Sequence, residues 1–362
     1  NKKKNFEYMK KNLLISTGGS GGHVIPGIIL YEHLCNERNV LLSTDKRGLE
    51  YFDNSKYKFE VINTPKLNNI FFIPFNLVII LFLILKSSYF IKKKKIEEVF
   101  STGGYMSLPV ILAAKLLNIK IYLIEPNLVL GRANRLFLNY CKKIFCYTDQ
   151  IKNFPENQKY KITIINPLVR KDVYNLKSIY NNNNTFTLLI VGGSQGAEIF
   201  DKDLKNSIVN ISKKIKLKVI QQTTEKNITS LSHFYSKNGI ENKIFCFDEN
   251  LTKSIQSADL CITRAGASTL AELSVINTPF IAIPLPTSKD DHQFENASFY
   301  KRNGSCWIVE QDHLSEKIEN ILNNLLIEKS DYFNKKENLK KLNYQNTWIN
   351  VNQKILKILN EN

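Results

Sequence analysis

The chain has 362 residues, 43% of them apolar, and a formal net charge of +17 at pH 7. That length can give two domains a core each, and that composition excludes a disordered or fibrous class. The charge suits an anionic partner, but lysine, asparagine and isoleucine are abundant along the whole chain, as compositional drift would produce. No nucleic-acid motif of known spacing accompanies it, so nucleic acid is not expected as a partner.

Taken in chain order, a basic start (Asn1–Lys11) leads into the apolar run Leu13–Ser16, a short strand ending in glycines and not a signal peptide. A helix follows Pro26, then strands at Val40–Ser43, Phe59–Ile62 and Val99–Ser101, a helix over Leu108–Leu117, and a strand at Ile121–Ile124. Strands alternating with helices of about ten residues predict a parallel, doubly wound sheet. The second half repeats the plan. Its strands are predicted at Leu188–Val191, Lys218–Gln221, Ile244–Phe247, Leu260–Thr263 and Phe280–Pro284. Its helices are predicted near Phe200–Ile211, Leu251–Ser257, Leu270–Ile276 and Gln293–Lys301. Asn166-Pro167 is the expected crossover, because a residue before proline is pushed to extended geometry and the polar stretch Lys177–Thr185 follows. This divides the chain into residues 1–166 and 167–346, with the amphipathic end, 347–362, free to pack on either part.

The segment Ile70–Leu85 breaks the pattern. It is almost wholly apolar, interrupted by Pro74 and Asn76, and flanked by Lys66, Lys86 and Lys92–Lys95. It falls short of the ~20 residues of a membrane span. The open readings are a buried helix of the first domain, an apolar surface beside lysines that docks on anionic lipid, and, least favoured, a true span.

Six cysteines (Cys35, Cys141, Cys146, Cys246, Cys261 and Cys306) are scattered, most of them inside apolar runs. Neither zinc spacing nor a disulfide framework is present, so no metal is predicted and a reducing cytosol is favoured. Two glycine loops are more informative: Gly18-Gly19-Ser20-Gly21-Gly22-His23, and Gly192-Gly193-Ser194-Gln195-Gly196-Ala197. Each joins a strand to a helix, the order that turns backbone N–H groups and a helix dipole toward an anion. Neither is a full dinucleotide fingerprint with its acidic partner, so no cofactor is predicted. Two Rossmann-like halves facing one cleft is the reading that fits.

The second half also carries Arg264-Ala265-Gly266-Ala267-Ser268-Thr269 and then Glu272, followed by Asp291-His292-Gln293 and Asn296-Ala297. Ser268 and Thr269 open a helix whose hydroxyls and N–H groups suit a diphosphate. Glu272 can accept two hydrogen bonds from a ribose diol, or it can merely complement the helix dipole. His23, after a glycine turn, is a base candidate or a helix cap.

Together with Thr102-Gly103-Gly104-Tyr105, Pro109, Glu125, Asn127, Asn134 and Asn166-Pro167, these residues resemble the MurG family, peripheral-membrane glycosyltransferases that make lipid II in peptidoglycan synthesis. The resemblance implies a GT-B fold: two Rossmann-like α/β domains with parallel sheets facing a central cleft. It implies transfer of N-acetylglucosamine from UDP-N-acetylglucosamine to lipid I at the cytoplasmic side of the inner membrane. The donor would be held by Ser194, Gln195, Phe247, Ser268, Thr269, Glu272 and Gln293, with Ser20, Gly21, Gly22, Asn127 and Arg170 closing on its sugar and phosphates and His23 as the base. Ile70–Leu85 and the nearby lysines would contact the membrane. The chain departs from the family in Ile124-Glu125-Pro126-Asn127, where His-Glu-Gln-Asn is usual, and in Asn166-Pro167-Leu168-Val169-Arg170, one residue longer than the common spacing. Alternative activities are sugar transfer to another lipid and UDP-sugar epimerisation.

Overall fold

A computed structural model describes residues 10–53, 55–65, 72–177, 185–193, 198–248 and 250–361. The chain divides into two units. The first holds the residues up to Pro126, Leu130–Leu168 and the chain from Val351; the second holds Asn127–Val129 and Val169–Asn350. The change of unit lies just past Asn166-Pro167, because Leu168 is buried and its N–H donates to Tyr147 Oη at 3.1 Å within the first unit.

The first unit's strands are β1 (Asn12–Ser16), β2 (Asn39–Thr44), β3 (Phe59–Val61), β4 (Glu98–Ser101), β5 (Lys120–Glu125), β6 (Lys143–Cys146) and β7 (Ile162–Ile164). Its helices are α1 (Gly21–Leu34), α2 (Ile73–Lys93), α3 (Leu108–Leu116) and α4 (Arg132–Phe137). The strands form one parallel sheet in the order β3-β2-β1-β4-β5-β6-β7. Leu13–Ile15, Val99, Phe100 and Ile121–Ile124 are almost wholly buried, the continuous apolar pattern of strands covered on both faces.

The second unit has strands β8 (Thr185–Val191), β9 (Lys216–Gln222), β10 (Glu241–Phe245), β11 (Leu260–Thr263), β12 (Phe280–Ala282) and β13 (Cys306–Ile308). They form a parallel sheet in the order β10-β9-β8-β11-β12-β13. Its helices are α5 (Glu198–Asp203), α6 (Lys205–Ser212), α7 (Ile228–Lys237), α8 (Leu251–Ser257), α9 (Ala267–Ile276), α10 (His292–Arg302), α11 (Leu314–Ile327) and α12 (Lys329–Leu342). The closing helix α13 (Trp348–Asn360) buries Val351, Ile355 and Leu359 along one stripe. Within the first unit Asn360 Oδ1 accepts from Arg38 Nη2 at 2.7 Å, and the Glu361 carbonyl accepts from Lys142 Nζ at 2.7 Å.

Several elements differ from the sequence expectation. The first helix starts at Gly21 and runs through Pro26, which removes the donor that would bond to the Gly22 carbonyl. The expected helix Phe200–Ile211 is split into α5 and α6. The short strands β6, β7 and β13 and the helices α7, α11 and α12 were not predicted, since three or four residues carry too little periodicity to mark a strand.

The apolar segment is helical and longer than expected. It continues to Lys93, and a 20-residue window from Pro74 is long and apolar enough to cross a membrane by length and composition, with 22% of the apolar window buried. Ile80, Ile84, Ser87 and Ile91 form its buried stripe, and α2 packs on α3. Phe75, Val78, Leu81, Phe82, Leu85 and Tyr89 point outward and are each more than half exposed. One face is core, as the buried-helix reading expects, and the other is a bare apolar surface. Lys66, Ile70 and Phe71 lie outside the described residues.

Candidate functional site

In a doubly wound sheet ligands gather beyond the carboxyl ends of the strands where the order reverses. In the first unit that point lies between β1 and β4, and the loops that leave them are Thr17–Ser20 and Thr102–Gly104. Gly19 has φ +82° and its N–H donates to Asp45 Oδ1 at 2.7 Å, so the loop needs a residue without Cβ strain at this turn. Asp45 also accepts from the Gly48 N–H at 3.0 Å and from Arg47, whose Nη2 reaches Tyr105 Oη at 2.8 Å. Ser20 is the N-cap of α1, so Gly21 and Gly22 stand in the first turn, where N–H groups have no intrahelical acceptor.

His23 lies in the same turn, and its Nδ1 is 2.8 Å from the Thr102 carbonyl oxygen. A carbonyl can only accept, so Nδ1 carries the proton, which leaves Nε2 as the nitrogen that can act as an acceptor. The backbone behind it is tied as well: Thr17 Oγ1 donates to the His23 carbonyl at 2.7 Å, and Thr102 Oγ1 donates to Thr17 Oγ1 at 2.8 Å. Beside this loop, Glu125 is buried and accepts from the Gly131 N–H at 2.8 Å and from Asn134 Nδ2 at 2.9 Å. The glutamate and asparagine of the sequence motif thus brace one another.

In the second unit the reversal lies between β8 and β11, with Gly192–Gly193 leaving the first strand and Arg264–Gly266 the second. Ser194 and Gln195 lie outside the described residues. Gly266 is the N-cap of α9, which places Ser268 and Thr269, both partly exposed, in its first turn. Glu272 is farther into the helix than a dipole-complementing residue and only 7% exposed. Its Oε1 accepts from Arg170 Nε at 3.0 Å and its Oε2 from Arg170 Nη2 at 3.4 Å. Burial pushes the Glu272 carboxyl above the ordinary carboxylate range, while the Arg170 charge and hydrogen bond pull it back. Its burial beyond the first turn does not fit mere complementation of the helix dipole, and the two residues that the family resemblance assigned to separate donor contacts form an ion pair here.

Gln293 turns its side chain to the same loop. Its Oε1 accepts from the N–H groups of Ala265 at 3.2 Å and Leu285 at 3.0 Å, which leaves the Nε2 hydrogens to offer a ligand. Asn296 Oδ1 accepts from the Leu128 N–H at 2.9 Å, and its Nδ2 donates to Asn127 Oδ1 and the Ala265 carbonyl, each at 3.1 Å. Asn127 thereby belongs to the second unit's site. The strand expected over Ile244–Phe247 stops at Phe245 as β10, so Phe247 does not end it but lies past it, 80% exposed. Sequence reasoning missed Asp45 and Gln222, which follow or end strands beside each reversal. Their positions at strand ends were the one signal available.

All six cysteines are free thiols, and among the described residues no group of three His, Cys, Asp or Glu side chains is placed to hold a metal. The arrangement offers an imidazole at one strand reversal and, at the other, a helix N-terminus with a buried carboxylate, a guanidinium and an amide donor.

Residues 13–146 match the glycosyltransferase family 28 N-terminal domain, and residues 187–347 the family 28 C-terminal domain. A Pelagibacter ubique protein is 49% identical over 98% of this chain and 100% of its own length; it is named UDP-N-acetylglucosamine–N-acetylmuramyl-(pentapeptide) pyrophosphoryl-undecaprenol N-acetylglucosamine transferase. A Rickettsia canadensis protein of the same name is 35% identical over 88% of this chain and 92% of its own. The crystal structure of MurG from Acinetobacter baumannii superposes with a TM-score of 0.76 at 22% identity, covering 97% of this chain and all of that one.

Proposed function

Because the chain belongs to glycosyltransferase family 28, we infer that it transfers N-acetylglucosamine from UDP-N-acetylglucosamine to undecaprenyl-diphospho-N-acetylmuramoyl-pentapeptide, lipid I, making lipid II for peptidoglycan. The observation that carries this reading is the 49% identity over 98% of the chain to a relative named for that reaction. The placement of His23, the first turn of α9 and Gln293 supports it.

Transfer with inversion needs a base at the acceptor hydroxyl, an in-line approach to the anomeric carbon and stabilisation of the departing diphosphate. The Thr102 carbonyl holds His23 in the tautomer whose Nε2 takes the hydroxyl proton. The acceptor oxygen then bonds to the anomeric carbon as the bond to the β-phosphate oxygen breaks, and UDP leaves with the electron pair. In the second unit, the first turn of α9 with Ser268 and Thr269, and Arg170 beside it, meet the charge on the diphosphate. Glu272 accepts from the ribose hydroxyls, Gln293 Nε2 donates to the sugar, and the backbone at Phe247 reads the uracil. Ser20, Gly21, Gly22 and Asn127 contact the donor sugar and phosphates; Ser194 and Gln195 are assigned to the donor by sequence match alone.

The acceptor's long lipid tail confines it to a bilayer. The bare apolar face of α2, ending in the exposed Lys92–Lys95, supports peripheral docking at the anionic cytoplasmic face of the inner membrane. A spanning helix would surrender its buried stripe against α3. Lys86 contributes less than the sequence suggested, since it pairs with Glu60 at 3.0 Å. Incubation of the purified protein with UDP-N-acetylglucosamine and a short-chain lipid I analogue should release UDP and yield the disaccharide product. Absence of product with a folded, UDP-binding enzyme would overturn the acceptor assignment.

A further inference from the structure

Gln222 ends β9, the strand that lies between β8 and β10, and its single amide reaches the loop on either side. Oε1 accepts from the Gly193 N–H at 3.1 Å, and Nε2 donates to the Cys246 carbonyl at 3.2 Å. Gly193 belongs to the glycine loop after β8 and has φ +83°, which a side chain rarely adopts. Cys246 precedes Phe247 in the loop after β10.

The strand end that carries Gln222 is itself anchored. Gln221 Nε2 donates to Asp201 Oδ1 at 2.9 Å and its Oε1 accepts from Tyr235 Oη at 2.8 Å. Thr223 Oγ1 donates to Asp201 Oδ2 at 2.5 Å, and the Thr223 N–H to the Phe245 carbonyl at 2.8 Å. Asp201 lies on α5, the helix that follows the glycine loop. The partners of this strand end thus flank both loops, and Gln222 is the residue whose side chain bonds to the two of them at once.

We propose that Gln222 is a positioning residue for the uridine diphosphate of the donor: it sets the backbone that faces the diphosphate in register with the backbone that faces the base. The proposal rests on the donor reading above. A ligand that spans both loops gains from each only if their separation is already fixed, since ordering them on binding would subtract from affinity. The Gln222 amide is engaged by the backbones of the two loops, so its effect belongs in donor affinity and not in the chemical step.

The test uses the full chain with Gln222→Met, which is near in shape and lacks both hydrogen bonds, and Gln222→Glu, which keeps an acceptor for Gly193 and loses the donor to Cys246. For Gln222→Met, two neutral hydrogen bonds lost predict UDP affinity lower by about five- to 150-fold, with KM for the sugar donor raised in step and kcat changed by less than about twofold. The affinity gained on going from uridine to UDP should shrink. Alkylation of the exposed Cys246 by a water-soluble maleimide should be faster than in wild type and remain slowed by UDP. Gln222→Glu should show the faster alkylation as well, because the Cys246 tether is the bond it loses. Melting curves separate lost affinity from lost fold; if Gln222→Met does not fold, Gln222→Glu decides by the alkylation rate and the KM-against-kcat split. Wild-type affinity and wild-type Cys246 reactivity in a folded variant would overturn the positioning role. A wild-type protein that fails to bind UDP would instead overturn the donor reading.

Discussion

The outward face of α2 makes a quantitative prediction. Phe75 and Phe82 are each 65% exposed, and they stand two turns apart on the same side of the helix. A phenylalanine carries roughly 200 Å² of surface, so each shows about 130 Å² to solvent. At about 25 cal/mol per Å², complete transfer into the acyl boundary is worth about 3 kcal/mol per ring, and half-immersion about 1.5 kcal/mol. Phe75→Ser with Phe82→Ser should therefore weaken partition onto anionic vesicles by about 3 kcal/mol, on the order of a hundredfold. Flotation with phosphatidylglycerol-containing vesicles reads the partition directly. Since neither ring is buried, the melting temperature should stay near that of wild type, and activity on a water-soluble acceptor should be spared while activity on long-chain lipid I falls. The buried Ile84, substituted by Ser, should behave oppositely, losing stability first. Undiminished vesicle binding by the Phe75 and Phe82 double variant, or equal loss on both acceptors, would refute docking through this face. Added salt should weaken but not abolish binding, because the exposed lysines at the end of α2 contribute about 1 kcal/mol each and are screened, whereas the apolar term is not.

Three further outcomes concern the chemistry. Glu272→Ala removes a charged acceptor worth roughly 1.5–3 kcal/mol, so calorimetry should find UDP binding weaker by about ten- to 150-fold; unchanged affinity would take Glu272 out of the donor site. Because burial holds the Glu272 carboxyl above its ordinary value of 4.5, its contribution to stability is present below that pH and lost as pH rises through the folded value, while ribose binding by the carboxylate follows the reverse course and strengthens over that same rise. Arg170→Met removes the charge that opposes the shift, so the midpoint of UDP affinity against pH should move upward. A profile that merely drops without moving would leave the ion pair without influence on the carboxylate. His23→Ala should lower turnover on the order of a hundredfold or more while UDP affinity holds, since a general base acts in the transition state. Wild-type turnover in that variant would reduce His23 to a helix residue.

The parallel α/β plan was legible in the sequence because its code is local. Continuous apolar runs such as Leu13–Ile15 and Leu188–Val191 mark strands covered on both faces, and each run passes directly into glycines and a helix. The same locality exposed the candidate loops at Gly18–His23 and Arg264–Glu272. What those side chains do was decided elsewhere. His23 takes its tautomer from a carbonyl 79 residues away, Glu272 meets a guanidinium 102 residues away, and Gln222 meets Gly193 across 29 residues. No periodicity specifies such partners; the first and third arise when parallel pairing brings the ends of β1 and β4, or of β8, β9 and β10, side by side, and the second when the turn after Arg170 packs on α9. The apolar segment shows the same division. Its composition left a buried helix and an exposed docking surface both open, and packing against α3 determined which stripe became core and left Phe75, Phe82 and their neighbours bare.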